Sequence, residues 1–233
     1  MDLTHIARNL TDVRARIQKA AQDAGRAGAD VRLLAVSKTF GLDHVRAAAE
    51  AGQEDFGENR VQEALQKIEG SAELKIRWHL IGTLQSNKVR KAVPRFSAIH
   101  SVDSRRLLDA IDAAASSAGT APELLVQVDL AGETTKHGAP PAEAMDIVRA
   151  AARCQAARCV GLMTIPPLFE DPEDARPYFA RLRDLRTTLL KEGLDQALLR
   201  ELSMGMSHDF EIAVQEGATI VRLGTAIFGK RHV

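Results

Sequence analysis

The sequence has few aromatic side chains and no excess charge of either sign. Phe, Trp and Tyr make up 4% of its 233 residues. Lys and Arg together number 31, and so do Asp and Glu together. A neutral chain with few aromatic rings offers neither a basic surface for a phosphate backbone nor a platform on which bases stack. We therefore expect no nucleic-acid partner and no binding to a membrane surface.

Cysteines and long apolar runs are also scarce. The two cysteines, Cys154 and Cys159, are spaced too widely for a CxxC redox pair or a zinc knuckle, so we expect two free thiols and no metal site. Charged residues such as Asp2, Arg8 and Asp12 interrupt the N-terminal segment, which does not resemble a signal peptide. No apolar run approaches the length of a membrane span, and these features together predict a cytoplasmic protein.

The first segment has an apolar residue at every third or fourth position: Leu3, Ile6, Leu10, Val13 and Ile17. This spacing is typical of an amphipathic helix, here about five turns long. We expect the segment 1–29 to form this N-terminal helix and to pack on the rest of the fold.

Strand-like and helix-like segments alternate along the remainder of the chain. The predicted strands are Val31–Lys38, Asp55–Asn59, Ile76–Gly82, Ala98–Val102, Leu124–Leu130, Cys159–Ile165, Arg200–Met204 and Thr219–Leu223. The predicted helices between them include Asp43–Ala51, Arg60–Glu69, Ser104–Ser117, Ala142–Ala152 and Asp174–Glu192. Such alternation predicts an α/β fold with parallel strands joined by crossover helices.

Eight strand–helix units in about 200 residues indicate a closed (β/α)8 TIM barrel, whose usual size is about 250 residues. An open doubly wound sheet is the alternative. Because no linker, repeat or low-complexity run divides the chain, we expect residues 1–233 to form a single domain.

Polar residues and glycines collect where the predicted strands end. In a barrel of this type the C-terminal ends of the strands form the active site. Strand one ends in Ser37 and Lys38, an unusual finish for an apolar strand because lysines are rarely buried. The other strand ends and the turns after them contribute Glu58, Asn59, His79, Gly82, Met163, Thr164, Ser203, Ser207, Asp209, Arg222, Gly224 and Thr225.

The turns after strands seven and eight have the composition of an anion site. MGMS places Ser207 ahead of a helix that begins near His208, and LGTAIFG places Gly224 and Thr225 after strand eight. Backbone N–H groups at such turns bind phosphate, and these two loops are the usual phosphate site of a barrel. Ordinary turn chemistry is the alternative interpretation, since small residues also allow tight turns.

Lys38 is a candidate nucleophile. In a closed barrel, strand one lies beside strand eight, which places Lys38 near Arg222 and near the predicted phosphate site. Burial beside a cation lowers the pKa of an amine and so makes the neutral nucleophile available. A nucleophilic lysine and a phosphate site suit either pyridoxal 5′-phosphate (PLP) held as a Schiff base or a class I aldolase acting on a phosphorylated sugar. A solvated or salt-bridged lysine is the alternative.

Six motifs are spread in order along most of the chain, between residues 33 and 231: LLAVSKTF, FGENRVQEALQKI, WHLIGTLQSNK, IHSVDS, GLMTI and LSMGMSHDFEIAVQEGATIVRLGTAIFGKR. In this order they resemble the PLP homeostasis protein family, of the YggS/PROSC type. The resemblance implies the barrel of the alanine racemase N-terminal domain, without the second domain of that enzyme. It implies that Lys38 carries PLP, that Arg222 faces the pyridine nitrogen and that Ser207, Gly224 and Thr225 bind the phosphate. The other cofactor-binding positions that it implies are Asn59, His79, Gly82 and Met204.

The resemblance implies a protein that holds PLP as a Schiff base and acts in intracellular PLP homeostasis and delivery, with PLP-dependent apo-enzymes as partners. A charged guanidinium at Arg222 leaves the pyridine nitrogen unprotonated, so that PLP is a weak electron sink without strong catalysis. The sequence shows no convincing second base: we expect Tyr178 to pack in a helix, and His79 is either a base or a histidine that lines the pocket. A weak amino-acid racemase is the alternative, and a lyase, a cofactor-free aldolase and an interaction module also stay open.

One segment departs from the family pattern after strand five. VDLAGETTKHG places Thr134 and Thr135 ahead of Lys136, and the resemblance assigns no role to this lysine. The neutral surface and the missing second domain predict a monomer.

Overall fold

Eight parallel strands form a closed barrel in this protein. The structure, a computed structural model, describes residues 3–132 and 137–230. The strands are β1 (Arg32–Val36), β2 (Asp55–Glu58), β3 (Arg77–Leu80), β4 (Ala98–Val102), β5 (Glu123–Gln127), β6 (Arg158–Met163), β7 (Glu201–Ser203) and β8 (Ile220–Leu223). Neighbours pair in sequence order, and β8 pairs with β1. The predicted closed barrel is confirmed, and the alternative of an open doubly wound sheet is wrong.

All eight predicted strands are present, but several end earlier than predicted. β1 stops at Val36 because the Phe40 N–H donates to the Ser37 carbonyl oxygen and turns the chain away from the sheet. Lys38 therefore lies in a turn just past the strand. In the same way, Gly82 follows the end of β3 by two residues and Met204 directly follows β7.

Helices surround the strands. They are α1 (Thr4–Asp23), α2 (Leu42–Glu50), α3 (Val61–Gly70), α4 (Val89–Ala92), α5 (Arg105–Ala118), α6 (Pro141–Ala151), α7 (Arg176–Lys191), α8 (Phe210–Gln215) and α9 (Thr225–Phe228). Sequence reasoning did not predict α4 and α9, since four residues are too few to show a periodic pattern. Within residues 3–132 and 137–230, none of the helices has the length and apolar content of a membrane span.

The N-terminal helix α1 packs on the outside of the barrel, as predicted, but it ends at Asp23 and not at residue 29, because Gly25 turns the chain with a φ of 67°. It contacts α2, α8 and α9. Asn9 donates a 2.9 Å hydrogen bond to the Ile227 carbonyl oxygen in α9. The helix therefore supports the segment that follows β8, and its buried apolar residues include Ile6, Leu10, Val13 and Ile17.

Buried apolar side chains form two cores, one on each side of the barrel sheet. The larger core lies between the strands and the helices. The smaller core lies inside the barrel and consists of Leu34, Val36, Ile81, Leu125, Val160, Met163 and Ile220. Side chains alternate across a strand, so Arg222 points inward like Ile220, and His79 points inward like Ile81. The barrel interior is therefore partly apolar and partly polar.

Candidate functional site

The carboxyl ends of the strands surround a cavity of about 240 Å³. Apolar side chains line part of it, among them Val36, Phe40 and Ile81. Six of the nine predicted site residues also line it: Lys38, Asn59, Ser207, Arg222, Gly224 and Thr225. The cavity thus combines an amine, a guanidinium and the two small-residue turns that the sequence analysis identified.

A buried network of charged groups holds the turn that carries Lys38. Lys67 of α3 donates to the Ser37 carbonyl oxygen at 2.7 Å and to the Glu58 carboxylate at 2.6 Å. The Ser37 hydroxyl donates to the same Glu58 oxygen at 2.7 Å. Burial raises the pKa of Glu58, against the opposing hydrogen bonds from Lys67 and Ser37. The residue before Lys38 is therefore fixed through both its backbone and its side chain.

The residue after Lys38 is fixed as well. Thr39 has a φ of 70°, a left-handed conformation that is rare for a β-branched residue. Its N–H donates to Glu63 Oε1 at 2.6 Å, and Lys67 donates to the same oxygen at 2.9 Å. Such strain persists where surrounding contacts impose it, and it is concentrated at ligand sites. One lysine and two carboxylates thus hold the backbone on both sides of Lys38.

Two backbone N–H groups converge at the turn after β8. Ser207 Oγ accepts hydrogen bonds from the Gly224 N–H at 3.2 Å and from the Ala226 N–H at 3.3 Å. A Cβ at Gly224 would lie 3.2 Å from the Val36 carbonyl oxygen, so the missing side chain lets this turn approach β1. Convergent N–H groups beside a hydroxyl are the donors that a phosphate group requires.

The MGMS segment reaches the cavity through a glycine turn. Gly205 has a φ of 92°, and a Cβ on it would lie 2.6 Å from the Ala213 side chain. The Asp209 carboxylate accepts a 2.6 Å hydrogen bond from the Met206 N–H and closes the turn. As a result, Ser207 faces the cavity.

Arg222 is buried, and its guanidinium is bound on two sides. Nη1 donates to Ser203 Oγ at 2.8 Å, and Nη2 donates to the Thr164 carbonyl oxygen at 2.9 Å. Burial lowers the pKa of Arg222 to about 10, which the Asp209 carboxylate partly offsets. Arg222 therefore remains charged at neutral pH and only donates hydrogen bonds.

Three of the predicted site residues lie elsewhere. His79 is inside the barrel and lines a different cavity at the amino-terminal ends of the strands. Met204 is fully buried in the outer core. Gly82 lines a neighbouring cavity with Asn59, and a Cβ on Gly82 would lie only 2.2 Å from the Asn59 carbonyl oxygen. Gly82 thus affects the Lys38 cavity indirectly: its missing side chain leaves room for the backbone of Asn59, which lines that cavity.

Sequence reasoning missed the polar contacts inside the barrel. His79 lies within 3.0 Å of both Asp55 and His100, and His100 lies 2.9 Å from Ser203. A signal was available, because alternation within RWHL and AIHSV places each histidine on the inward face of its strand. The partners lie at least 21 residues apart in the chain, so the pairing itself is not readable from local sequence.

Two further residues from the sequence analysis are Tyr178 and Lys136. The Tyr178 ring packs against Phe169 with 5.7 Å between ring centroids, which confirms its expected packing role. Lys136 lies outside the described residues, as do Thr134 and Thr135.

The groups in the cavity fit PLP. Lys38 would supply an amine for the PLP aldehyde, the N–H groups beside Ser207 would hold the phosphate, and Arg222 would donate to the pyridine nitrogen. Asn59 Oδ1 is buried and has no hydrogen-bond partner within the described ranges, as expected of a polar group that contacts a ligand. PLP supplies an electrophilic carbon and a conjugated ring when it is bound.

The chain is similar along nearly its whole length to proteins named for pyridoxal phosphate homeostasis. The pyridoxal phosphate homeostasis protein of Aquifex aeolicus is 44% identical over 222 residues, covering 95% of this chain and 96% of that protein. The protein of that name in Pseudomonas aeruginosa is 44% identical over 230 residues, covering 98% of this chain and 97% of that protein. A solved structure of PipY from Synechococcus elongatus with PLP bound is 40% identical and covers 96% of this chain and 100% of that chain, with a TM-score of 0.85.

The family assignment follows from these matches together with the closed barrel. Residues 1–232 match the family described as alanine racemase, N-terminal domain. The chain therefore belongs to this family and, within it, to the pyridoxal phosphate homeostasis proteins.

Proposed function

We propose that this protein binds PLP as a Schiff base on Lys38 and acts in PLP homeostasis and delivery, without strong catalysis of its own. The observation that carries the proposal is the cavity shared by Lys38, Arg222 and the turn in which Ser207 meets Gly224. These groups match the aldehyde, the ring nitrogen and the phosphate of PLP. The PLP bound to PipY, a relative of 40% identity, supports the same function.

Each part of the cavity has a defined role in this proposal. The Lys67 network holds the backbone around Lys38, while the Ser207 and Thr225 hydroxyls and the Gly224 N–H bind the phosphate. Arg222 donates to the ring nitrogen, which remains unprotonated and makes the bound cofactor a weak electron sink. The arrangement favours retention of PLP over carbanion chemistry.

The proposal extends to the setting in which the protein works. We infer a single domain over residues 1–233 that acts as a cytoplasmic monomer and passes PLP to PLP-dependent apo-enzymes. Because formation of a Schiff base is reversible, one site serves both storage and release.

Replacement of the lysine tests the proposal. Lys38→Ala and the exposed control Lys75→Ala are mixed with PLP, reduced with borohydride and denatured. The wild type and Lys75→Ala should keep PLP covalently attached, while Lys38→Ala should lose it and retain only weaker, phosphate-anchored binding. Covalent PLP on reduced and denatured Lys38→Ala would contradict the assignment.

A weak amino-acid racemase is the second candidate, because His208 lines the same cavity as Lys38. Racemisation needs a second base, and the exposed His208 ring has one nitrogen 3.2 Å from the Glu170 carbonyl oxygen. Exchange of the α-hydrogen of amino acids in deuterated water, lost in His208→Gln, would support a racemase. Absence of exchange across a broad amino-acid panel would favour the carrier.

A further inference from the structure

A hydrogen-bonded chain of five buried residues crosses the inside of the barrel. It runs from Asp55 through His79, His100 and Ser203 to Arg222, with successive distances of 2.9, 3.0, 2.9 and 2.8 Å. The residues come from β2, β3, β4, β7 and β8, and each is at most 4% exposed. A buried polar chain of this length is costly unless every group has a partner, so its hydrogens must be placed consistently.

The two ends of the chain lie at opposite ends of the barrel. Arg222 lines the Lys38 cavity at the carboxyl ends of the strands. Asp55 begins β2, and both its oxygens accept hydrogen bonds from Arg77, at 2.7 and 2.6 Å. The Arg77 side chain is half-exposed and lines the cavity at the amino-terminal ends together with His79. The chain therefore joins an ion pair at one end of the barrel to the guanidinium at the other.

The protonation of both ends follows from their chemistry. Arg222 has only donors, so Ser203 Oγ accepts from it. Burial acts to raise the pKa of Asp55, but hydrogen bonds from His79 and Arg77 outweigh it and hold that pKa well below its ordinary value. The ionised Asp55 only accepts, so His79 Nε2 carries a hydrogen and donates to it.

The middle of the chain then has one arrangement that satisfies every group. Burial lowers the pKa of His100 far below its ordinary value, so this ring is neutral and carries one hydrogen. When His79 Nδ1 accepts, His100 donates from Nε2 and accepts from the Ser203 hydroxyl at Nδ1. An added proton on His79 would reverse both bonds and leave the Ser203 hydrogen without an acceptor in the chain.

We propose that Asp55, His79, His100 and Ser203 are positioning residues for Arg222, which they orient through hydrogen bonds that all donate toward Asp55. The proposal has a second part, which rests on the function proposed above. These four residues also set the strength of the hydrogen bond from Arg222 to the PLP ring nitrogen. A charge at the amino-terminal end of the barrel thereby influences a cofactor bound at the opposite end.

The first test needs no cofactor. In protein labelled with nitrogen-15 histidine, NMR at neutral pH distinguishes a neutral ring protonated at Nε2 from one protonated at Nδ1 and from a cation. We expect His79 and His100 to be neutral with the hydrogen on Nε2, with signals assigned by their loss in His79→Gln and His100→Gln. Protonation at Nδ1 of either ring would overturn the proposal.

The second test uses PLP labelled with nitrogen-15 in its ring. Ser203→Ala removes one of the two acceptors of Arg222 and leaves the Thr164 carbonyl oxygen, and Asp55→Asn removes the distant charge while keeping the side-chain shape. We expect the ring-nitrogen signal to move in both variants and PLP to dissociate about tenfold faster from Ser203→Ala, as for the loss of one charge-assisted hydrogen bond. Ser71→Ala, which removes a buried hydroxyl that donates to the Lys67 carbonyl oxygen, is the matched control and should leave the signal unchanged.

The outcomes separate this inference from the proposed function. Bound PLP with the wild-type ring-nitrogen signal in both Ser203→Ala and Asp55→Asn would overturn the coupling to the cofactor. A wild-type protein that binds no PLP would overturn the proposed function. The NMR signals of His79 and His100 would still show whether the hydrogen bonds donate toward Asp55. Ser203→Cys keeps the side-chain size and weakens its hydrogen bonds, so it replaces Ser203→Ala if that variant does not fold.

Discussion

The Lys67 amine lies 2.7 Å from the Ser37 carbonyl oxygen and so fixes the residue that precedes Lys38. The Lys67 side chain is only 8% exposed, and its other partners are two carboxylates. Those carboxylates also accept from the Ser37 hydroxyl and the Thr39 N–H. The stability of this network and the placement of Lys38 are therefore linked.

Lys67→Met should destabilise the protein by about 3 kcal/mol, because it leaves the buried Glu58 carboxylate without its counter-charge. Urea unfolding measures this loss, and the variant should also bind PLP more weakly than the wild type. Lys19→Met is the control, since the Lys19 amine is exposed and pairs with Asp23 on the surface of α1. Equal losses in the two variants would contradict the role of Lys67.

Gly82→Ala should weaken PLP binding and cost about 1–3 kcal/mol of stability, because its Cβ would lie 2.2 Å from the Asn59 carbonyl oxygen and force that backbone to move. Gly41→Ala is the matched control, since a Cβ there meets no atom within 4 Å of the described chain and φ is −74°. PLP titration and urea unfolding of both variants check the prediction. A Gly82→Ala protein with the stability and PLP affinity of Gly41→Ala would contradict it.

Mild acid should destabilise the protein through His100. Burial lowers the pKa of this ring from its ordinary 6.5, so below about pH 6.5 the unfolded chain binds a proton that the folded chain does not. The stability contributed by neutral His100 is thus present above that pH and lost as the pH falls, by up to about 1.4 kcal/mol per pH unit.

Urea unfolding between about pH 5 and 7 measures this loss in the wild type, in His100→Gln and in the exposed control His137→Gln. The dependence on pH should become shallower in His100→Gln and should persist in His137→Gln. If the stability of His100→Gln depends on pH as steeply as that of the wild type, His100 is not the group responsible.

Both thiols should react slowly in the folded protein. They are free, as their spacing predicted. Burial raises the pKa of Cys159 to about 12, and burial with the nearby Asp112 and Asp109 carboxylates raises that of Cys154 to about 11. Because the thiolate is the reactive form, iodoacetamide at neutral pH should modify neither cysteine before denaturation and both after it, as read by mass spectrometry. Rapid labelling of the partly exposed Cys154 would contradict the prediction.

The barrel could be predicted from the sequence because its signals are local. Apolar strands such as the one before Ser37 alternate with amphipathic helices, and this alternation is typical of parallel sheets. The carboxyl ends of parallel strands meet at one end of a barrel, which is why Lys38, Ser207 and Gly224 could be placed in one site.

The side-chain partners could not be predicted in this way. Lys67 lies in an amphipathic helix, where a lysine normally faces water, yet its amine is buried beside Glu58. His100 and Ser203 are 103 residues apart in the sequence and become neighbours only when the barrel closes. Which buried polar groups pair depends on strand register and side-chain packing, and neither is contained in a local pattern.

The decisive test of PLP binding at Lys38 is the absorbance spectrum of the purified protein mixed with PLP. The spectrum is recorded before and after borohydride reduction, and the reduced protein is then analysed by peptide mapping. We expect a visible Schiff-base band that disappears on reduction and leaves the cofactor attached to the peptide that contains Lys38. No band after addition of PLP, or attachment to a different lysine, would contradict it.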